Sequence, residues 1–337
     1  MPSEMSAVKT LIVGYGSIGQ RHCRNLKQLD PDMAITVLRR PGSKGDQQGN
    51  LPTVYSIEEA LQAAPKAALI CSPAACHIDT ALALADKGVH LFIEKPLAHN
   101  ETGVKELIER ANSKQLVLMV GYNFRFYKPL QVLKQVLMEG KIGKVLSVRS
   151  EVGQYLPDWR PDVDYRQTAS ARADLGGGVV LELSHEFDYL RYLLGDVESV
   201  WGRTAHVSGL ELDVEDTADV MLEFSDKTLA TVHLNMVQQH VSRTCTVVGS
   251  EGSLSLDFIK HSLLFMPGAK LAPETIFHDS DYDLNETYLA ELSHFFDCIE
   301  RQAEPLITGA DAWRTLQVAL AVKASSARKQ AMKLKQI

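Results

Sequence analysis

The sequence predicts an α/β N-terminal domain followed by an α+β domain built on a large, mostly antiparallel open sheet. Three observations carry that prediction. The first third alternates short apolar runs with helix-like segments, the pattern of a parallel sheet covered on both faces. A glycine-spaced turn, Gly14-x-Gly16-x-x-Gly19, stands between the first apolar run and the first helical segment. After Tyr122 the pattern changes to successive strand-like segments joined by hairpin-type turns. The expected domains are therefore residues 1–123 and 124–337.

In the first domain, strands are expected at Thr10–Val13, Ala34–Leu38, Ala67–Cys71, Val89–Ile93 and Leu116–Val120. Helices are expected between them at Ile18–Leu29, Ile57–Ala63, His77–Lys87 and Thr102–Ser113. The second domain opens with a helix at Pro129–Glu139 and a strand at Val145–Gly153. A long polar loop then runs from Gln154 to Leu175 and ends in Gly176–Gly178. One helix, Val179–Leu194, is expected next, followed by strands at Val197–His206, Thr217–Phe224, Leu229–Gln238, Arg243–Gly249 and Ser253–Phe258. "FSDKT" and "GSEGS" read as hairpin turns, and helices at Asn285–Gln302 and Gly309–Lys333 close the chain.

A chain of 337 residues with 45% apolar content suits two globular domains. No apolar run approaches the roughly 20 residues a membrane helix needs. The start, "MPSEMSAVKT", lacks the basic patch and apolar stretch of a signal peptide. Five scattered cysteines, Cys23, Cys71, Cys76, Cys245 and Cys298, read as buried thiols of a cytoplasmic protein. Of the net charge of −7, little falls in residues 1–123, which carry 13 Lys/Arg and 12 Asp/Glu; the rest carries 22 and 30. No dense basic stripe is present, which argues against nucleic acid or an anionic membrane as partner.

The glycine turn has the context of a dinucleotide site. It follows a strand and opens a helix, so backbone can approach a pyrophosphate closely at Gly14, Gly16 and Gly19. The amides of Ser17 and Ile18 then donate at the helix N-terminus. The second strand ends in "ITVLRRPGSKG". Arg39 stands where a ribose-binding carboxylate is usual, about 20 residues on, with Arg40 beside it and Lys44 nearby. A guanidinium attracts a 2′-phosphate that an acid would repel, which favours NADP(H) over NAD(H). The structural alternative is a pair of solvated loop arginines.

The fourth strand runs directly into Glu94-Lys95-Pro96. A lysine at the carboxyl edge of a parallel sheet can give a proton to a carbonyl oxygen as hydride arrives, or take a hydroxyl proton in reverse. Most strand-end lysines are simply solvated.

The motifs "GYGSIGQRH", "CSPAACH", "EKP", "GYNFRF" and "GGGVVLELSHEFD" occur in this order. Over nearly its whole length the sequence resembles the Gfo/Idh/MocA oxidoreductases. That resemblance implies an N-terminal Rossmann domain and a C-terminal domain whose open sheet often forms a dimer face, hence a homodimer or homotetramer. It also implies hydride transfer between NAD(P) and a sugar-like alcohol or carbonyl, in a cleft between the domains. Lys95 becomes the catalytic lysine; Ser72, Pro73 and His77 border the cofactor, and Glu94 lies near the nicotinamide and its ribose.

On a helical projection of "VVLELSHEFDYLRYLL", Leu183, Phe187, Leu190 and Leu194 form a core stripe, while Glu182, His185, Tyr189 and Tyr192 gather opposite. The resemblance implies an acid and a histidine here that reach the substrate, so His185 and Glu182 join Lys95 as catalytic candidates. The usual spacing is four; here it is three. The alternatives are a partly buried histidine and a solvated acid, with Asp188 orienting a neighbour. Glu182 and His185 resemble half a metal site, but no further ligand cluster stands out and no metal is expected. The 154–175 loop offers Trp159, Arg160, Tyr165 and Arg166, and "GYNFRF" offers Arg125, for a sugar face or an anionic group. Each has the alternative of anchoring its own loop. Beside the dehydrogenase reading stand two others: a cofactor-retaining epimerase, lyase or hydrolase working by transient oxidation, and a non-catalytic NAD(P)-sensing regulator.

Overall fold

The computed structural model describes residues 8–42, 51–269 and 271–334. The opening MPSEMSA, in which no targeting segment is read, and Lys44 lie outside the described residues. The chain divides into two compact units, Met1–Asn123 with Asn285–Trp313, and Phe124–Leu284 with Arg314–Ile337.

The first unit holds β1 (Thr10–Val13), α1 (Ser17–Leu29), β2 (Ile35–Leu38), β3 (Thr53–Val54), α2 (Ile57–Gln62), β4 (Ala67–Ile70), α3 (His77–Ala85), β5 (His90–Glu94), α4 (Val104–Ser113) and β6 (Leu118–Gly121). The six strands form one sheet in the order β3-β2-β1-β4-β5-β6, and every pair is parallel. Its core is aliphatic because both faces are covered: Leu11, Ile12, Leu69, Ile70, Leu91 and Ile93 are fully buried, each worth about 1.5–3 kcal/mol over an exposed position. The order reverses direction at β1/β4, so the carboxyl ends of β1, β4 and β5 share one edge beside the switch point. The short β3 carries no period of its own and was not expected from the sequence.

The second unit opens with α5 (Lys128–Met138) and β7 (Val145–Gly153), then α6 (Val179–Glu182), α7 (His185–Leu194), β8 (Val197–Ala205), β9 (Thr217–Phe224), β10 (Leu229–Asn235), β11 (Ser242–Gly249), β12 (Ser253–Asp257), β13 (Ser262–Met266) and β14 (Glu274–His278). After these the chain returns to the first unit in α8 (Asn285–Arg301). It then forms α9 (Gly309–Arg328), divided between the units, and β15 (Met332–Lys333). The nine-stranded sheet runs β14-β13-β12-β11-β7-β10-β9-β8-β15 and is antiparallel except for β7 with β10. The hairpins at "FSDKT" and "GSEGS" join β9 to β10 and β11 to β12 as expected. Along β9 and β10 alternate residues are buried, Ala218, Val220 and Leu222 against Ala230, Val232 and Leu234, while Met221 and Trp201 of the neighbouring β8 lie exposed on the other face.

Two expectations are corrected here. The second domain is not a continuous 124–337, because Asn285–Trp313 belongs to the first unit. Polar and aromatic ties hold it there: Asn25 and Asn285 exchange amide hydrogen bonds, Asn123 Nδ2 donates to Thr287 Oγ1 at 2.7 Å, and the Phe92 and Phe295 rings meet edge to face. Likewise Val179–Leu194 is not one helix. It breaks at Leu183–Ser184, where Leu183 takes φ −99°, ψ 27° before α7 restarts at His185. A single helical projection therefore does not span Glu182 and His185, and Tyr189 is buried rather than turned to a polar side, its hydroxyl on Ser150 Oγ at 2.5 Å.

Candidate active site

In the first unit the glycine turn is built by close approach. Gly14 has φ +87°, and a Cβ there would lie 2.9 Å from Ser72 N. A Cβ on Gly19 would lie 2.2 Å from Gly14 O, so the helix can pack on the turn only with glycine. Gly16 differs: a Cβ there meets nothing within 4 Å. Gly16 also caps α1 without a side-chain hydrogen bond, and the first turn holds no acid, which leaves Ser17 and Ile18 at an uncapped N-terminus. Across the turn Ser72 Oγ is buried and has no hydrogen-bond partner among the described residues. Pro73 opens the tight turn Ala74–Cys76 that leads into α3.

Arg39 follows β2, half-buried, its guanidinium 5.7 Å from the Tyr15 ring centre; Arg40 is exposed. Lys95 is half-buried at the end of β5, in a cis Lys95–Pro96 peptide. Its backbone N–H donates to Glu94 Oε2 at 3.2 Å.

Two expected cofactor neighbours also tie the strand ends together. His77 is buried with Nδ1 3.0 Å from Pro96 O and Nε2 2.7 Å from Ser72 O, tying the end of β4 to the turn after β5. Burial pushes its imidazole pKa down, so the neutral ring donates to one of these carbonyls. Glu94 points inward: Oε1 lies 2.5 Å from His22 Nε2 and Oε2 holds Lys95 N.

In the second unit His185 starts α7, half-buried, with its ring centre 4.7 Å from that of Phe124. Glu182 ends α6, half-buried. Arg125 is corrected as a substrate group. It is buried and gives Nε and Nη2 to the two oxygens of Asp188 at 3.0 and 2.7 Å, which a free anion-binding arginine would not do. In the loop, Trp159 Nε1 donates to Gln154 O, the Tyr165 hydroxyl accepts from Glu211 N, and exposed Arg166 pairs with Asp164 and Glu211. These contacts anchor the loop to itself and its neighbour.

Sequence reasoning missed Glu186 and Arg243. Glu186 is fully buried and takes Arg243 on both oxygens at 2.7 and 2.9 Å, and that guanidinium lies 4.3 Å over the Phe124 ring that also packs on His185. The acid was visible within "LSHEFD"; its partner, 57 residues away, carried no signal. A separate cavity of about 640 Å³ lies on the outer sheet face, lined by Arg149, Glu151, Trp201, Arg203, Asp219 and Met221, and none of the candidate catalytic residues lines it.

Comparison with known proteins bears on both units. Residues 8–122 match a family model described as oxidoreductase family, NAD-binding Rossmann fold, and residues 130–255 match the GFO/IDH/MocA C-terminal domain. The chain belongs to the GFO/IDH/MocA oxidoreductase family. It is 27% identical to myo-inositol 2-dehydrogenase of Thermotoga maritima, over 97% of this chain and 98% of that protein. It is 25% identical to scyllo-inositol 2-dehydrogenase (NAD(+)) of Bacillus subtilis, over 93% and 92%. Among solved structures, levoglucosan dehydrogenase in complex with NADH superposes with a TM-score of 0.85 at 20% identity, covering 98% of this chain and all of that one; this likeness is one of fold.

The residues of this GFO/IDH/MocA oxidoreductase fit a dinucleotide. The clear space beside Gly16, the uncapped helix start and the unpartnered Ser72 hydroxyl all adjoin one strand edge, and each offers what a pyrophosphate and ribose need. Among the described residues no helix is long and apolar enough to cross a membrane.

Proposed function

We propose that this protein transfers hydride between a nicotinamide cofactor and the CH–OH or carbonyl carbon of a sugar, polyol or sugar derivative, with Lys95 exchanging the proton of the reacting oxygen. One observation carries the reading: the glycine turn, Ser72 and Lys95 stand at the carboxyl ends of β1, β4 and β5 in one parallel sheet. When bound, the nicotinamide supplies the hydride donor or acceptor. The amides of Ser17, Ile18 and Gly19 hold the pyrophosphate, Gly14 and Gly16 let it approach, and Ser72 and Pro73 border it. The Lys95 ammonium donates to the carbonyl oxygen in reduction, and the neutral amine accepts the hydroxyl proton in oxidation. In the second unit His185 is the first candidate to bind the reacting hydroxyl. Glu182, Trp159, Tyr165 and Arg166 are candidates for the remaining hydroxyls or an acidic group.

Arg39, with Arg40 beside it, supports NADP(H) as the preferred cofactor. The outer sheet face, where Trp201 is 61% and Met221 43% exposed, supports pairing with a second copy of the chain in a homodimer or homotetramer. Five cysteines outside any disulfide, four buried as expected and Cys76 exposed against expectation, support a reducing cytoplasm. The test is a panel of polyols, neutral sugars, acidic sugars and nucleotide-linked sugars, read by NADH and NADPH absorbance together with product analysis. Net cofactor turnover with oxidised or reduced sugar is expected. A changed sugar without net turnover would replace this reading by transient oxidation on a retained cofactor, and cofactor binding with no reaction across the panel would replace it by sensing.

A further inference from the structure

The strand end that carries Lys95 rests on a buried polar cluster that hydride transfer itself does not use. His22 of α1, Glu94 of β5 and Glu291 of α8 each bring one nitrogen or oxygen to within 4.8 Å of the others, and all three are buried. Glu94 is held on both sides, by His22 Nε2 and by the Lys95 N–H. Glu291 is the opposite case. It is fully buried, and neither carboxyl oxygen has a hydrogen-bond partner among the described residues. Aromatic rings enclose the cluster: Phe92 lies edge-on to His22 at 5.4 Å and Tyr288 at 6.0 Å.

An ionised carboxylate without donors in such a place is strongly disfavoured. A cation bridging the three groups or a proton on Glu291 would relieve it. His22 Nε2 and Glu94 Oε1 lie 2.5 Å apart, in direct hydrogen-bond contact and too close to flank one metal ion at ordinary bond lengths, while His22 Nδ1 is buried without a partner; this geometry selects the proton. The surrounding titratable groups agree. Burial and the charge of Glu94 push the Glu291 carboxyl pKa well above its ordinary range, and burial and Glu94 push the Cys71 thiol up at the end of β4. Tyr288 is likewise pushed up to about 12 by burial, with the Arg21 guanidinium 4.6 Å from its ring centre opposing that shift.

We propose that Glu291 is held as a neutral carboxylic acid, and that Glu291 and His22 are positioning residues that hold Glu94 where it clamps the backbone N–H of Lys95. The positioning half rests on the proton-exchange role proposed for Lys95; the neutral acid does not. An ionised Glu291 would repel Glu94 across less than 5 Å, whereas the neutral acid leaves Glu94 free to accept from both His22 and Lys95.

The test uses the full chain. Infrared spectra should contain a protonated-carboxyl C=O band that disappears in Glu291→Gln; no lost band overturns the neutral acid. Glu291→Gln losing a stoichiometric divalent metal, measured on the purified protein by mass spectrometry, would also overturn it in favour of a cation. His22→Asn should lower kcat about tenfold to a hundredfold with cofactor Kd unchanged, because Glu94 is no longer held against the Lys95 N–H. Should His22→Asn not fold, Glu94→Ala, which removes the acceptor outright, should show the same kcat loss. An unchanged kcat in the folded variant overturns the positioning role. If Lys95→Ala itself keeps full activity, the proton-exchange reading falls while the infrared result for Glu291 stands on its own.

Discussion

Arg125→Met separates an architectural arginine from a substrate-binding one. Arg125 is 5% exposed, and its guanidinium makes two hydrogen bonds of 3.0 and 2.7 Å to Asp188 and stands 5.3 Å from the Tyr192 ring centre. Asp188 is 1% exposed, and Thr315 Oγ1 reaches it at 3.3 Å. Removing the guanidinium strands a buried carboxylate, which costs roughly 3–5 kcal/mol. In a unit of this size each kcal/mol moves Tm by about 2–4 °C, so the variant should melt about 6–20 °C lower. Replacing both partners, Arg125→Met with Asp188→Leu, removes the stranded charge and should recover most of that loss. Differential scanning calorimetry gives Tm, and steady-state kinetics well below the lowest Tm gives KM. An unchanged Tm with KM for the sugar raised tenfold or more would refute the architectural role and return Arg125 to the substrate.

Three further outcomes follow from the geometry. Gly16→Ala should leave Tm unchanged, since its Cβ meets no protein atom within 4 Å, yet weaken cofactor binding measured by fluorescence titration; unchanged affinity would remove the pyrophosphate from that turn. Arg39→Asp should shift the ratio of kcat/KM values from NADPH toward NADH, and an unchanged ratio would count against a 2′-phosphate contact. Because Glu291 binds its proton more tightly folded than unfolded, its contribution to stability is complete below the unfolded carboxyl pKa and is lost as pH rises above it, by about 1.4 kcal/mol per pH unit until the folded group ionises. The Tm of Glu291→Gln should therefore gain on the parent between pH 4.5 and 8, and a flat or opposite trend in thermal melts would contradict the assignment.

The alternation of β1 to β6 with its helices was legible because both faces of a parallel sheet are buried and the strands are continuously apolar. Lys95 and the glycine turn were legible for a related reason: strand ends and special backbone positions follow from local pattern. What was hidden depends on partners distant in sequence. Arg125 and His77 carry chemistry suited to a ligand, and nothing nearby announces that Asp188 or two backbone carbonyls have claimed them. The break at Leu183–Ser184 falls among residues that continue a helix comfortably, so only tertiary packing reveals it. The cluster of His22, Glu94 and Glu291 spans three elements and most of the chain, and α8 joins the first unit through contacts made more than 160 residues away. The strands β3 and β15 are two residues long, too brief for any pattern to stand out, and β13 and β14 were not expected either.

The central claim is that the Lys95 side chain moves the proton of the reacting oxygen. The most direct measurement compares kcat of Lys95→Ala with the parent on a sugar that the parent turns over, with cofactor Kd determined on the same preparations. The account predicts kcat lower by about 10²–10⁴-fold with Kd within about twofold. Equal turnover by the two proteins would contradict it.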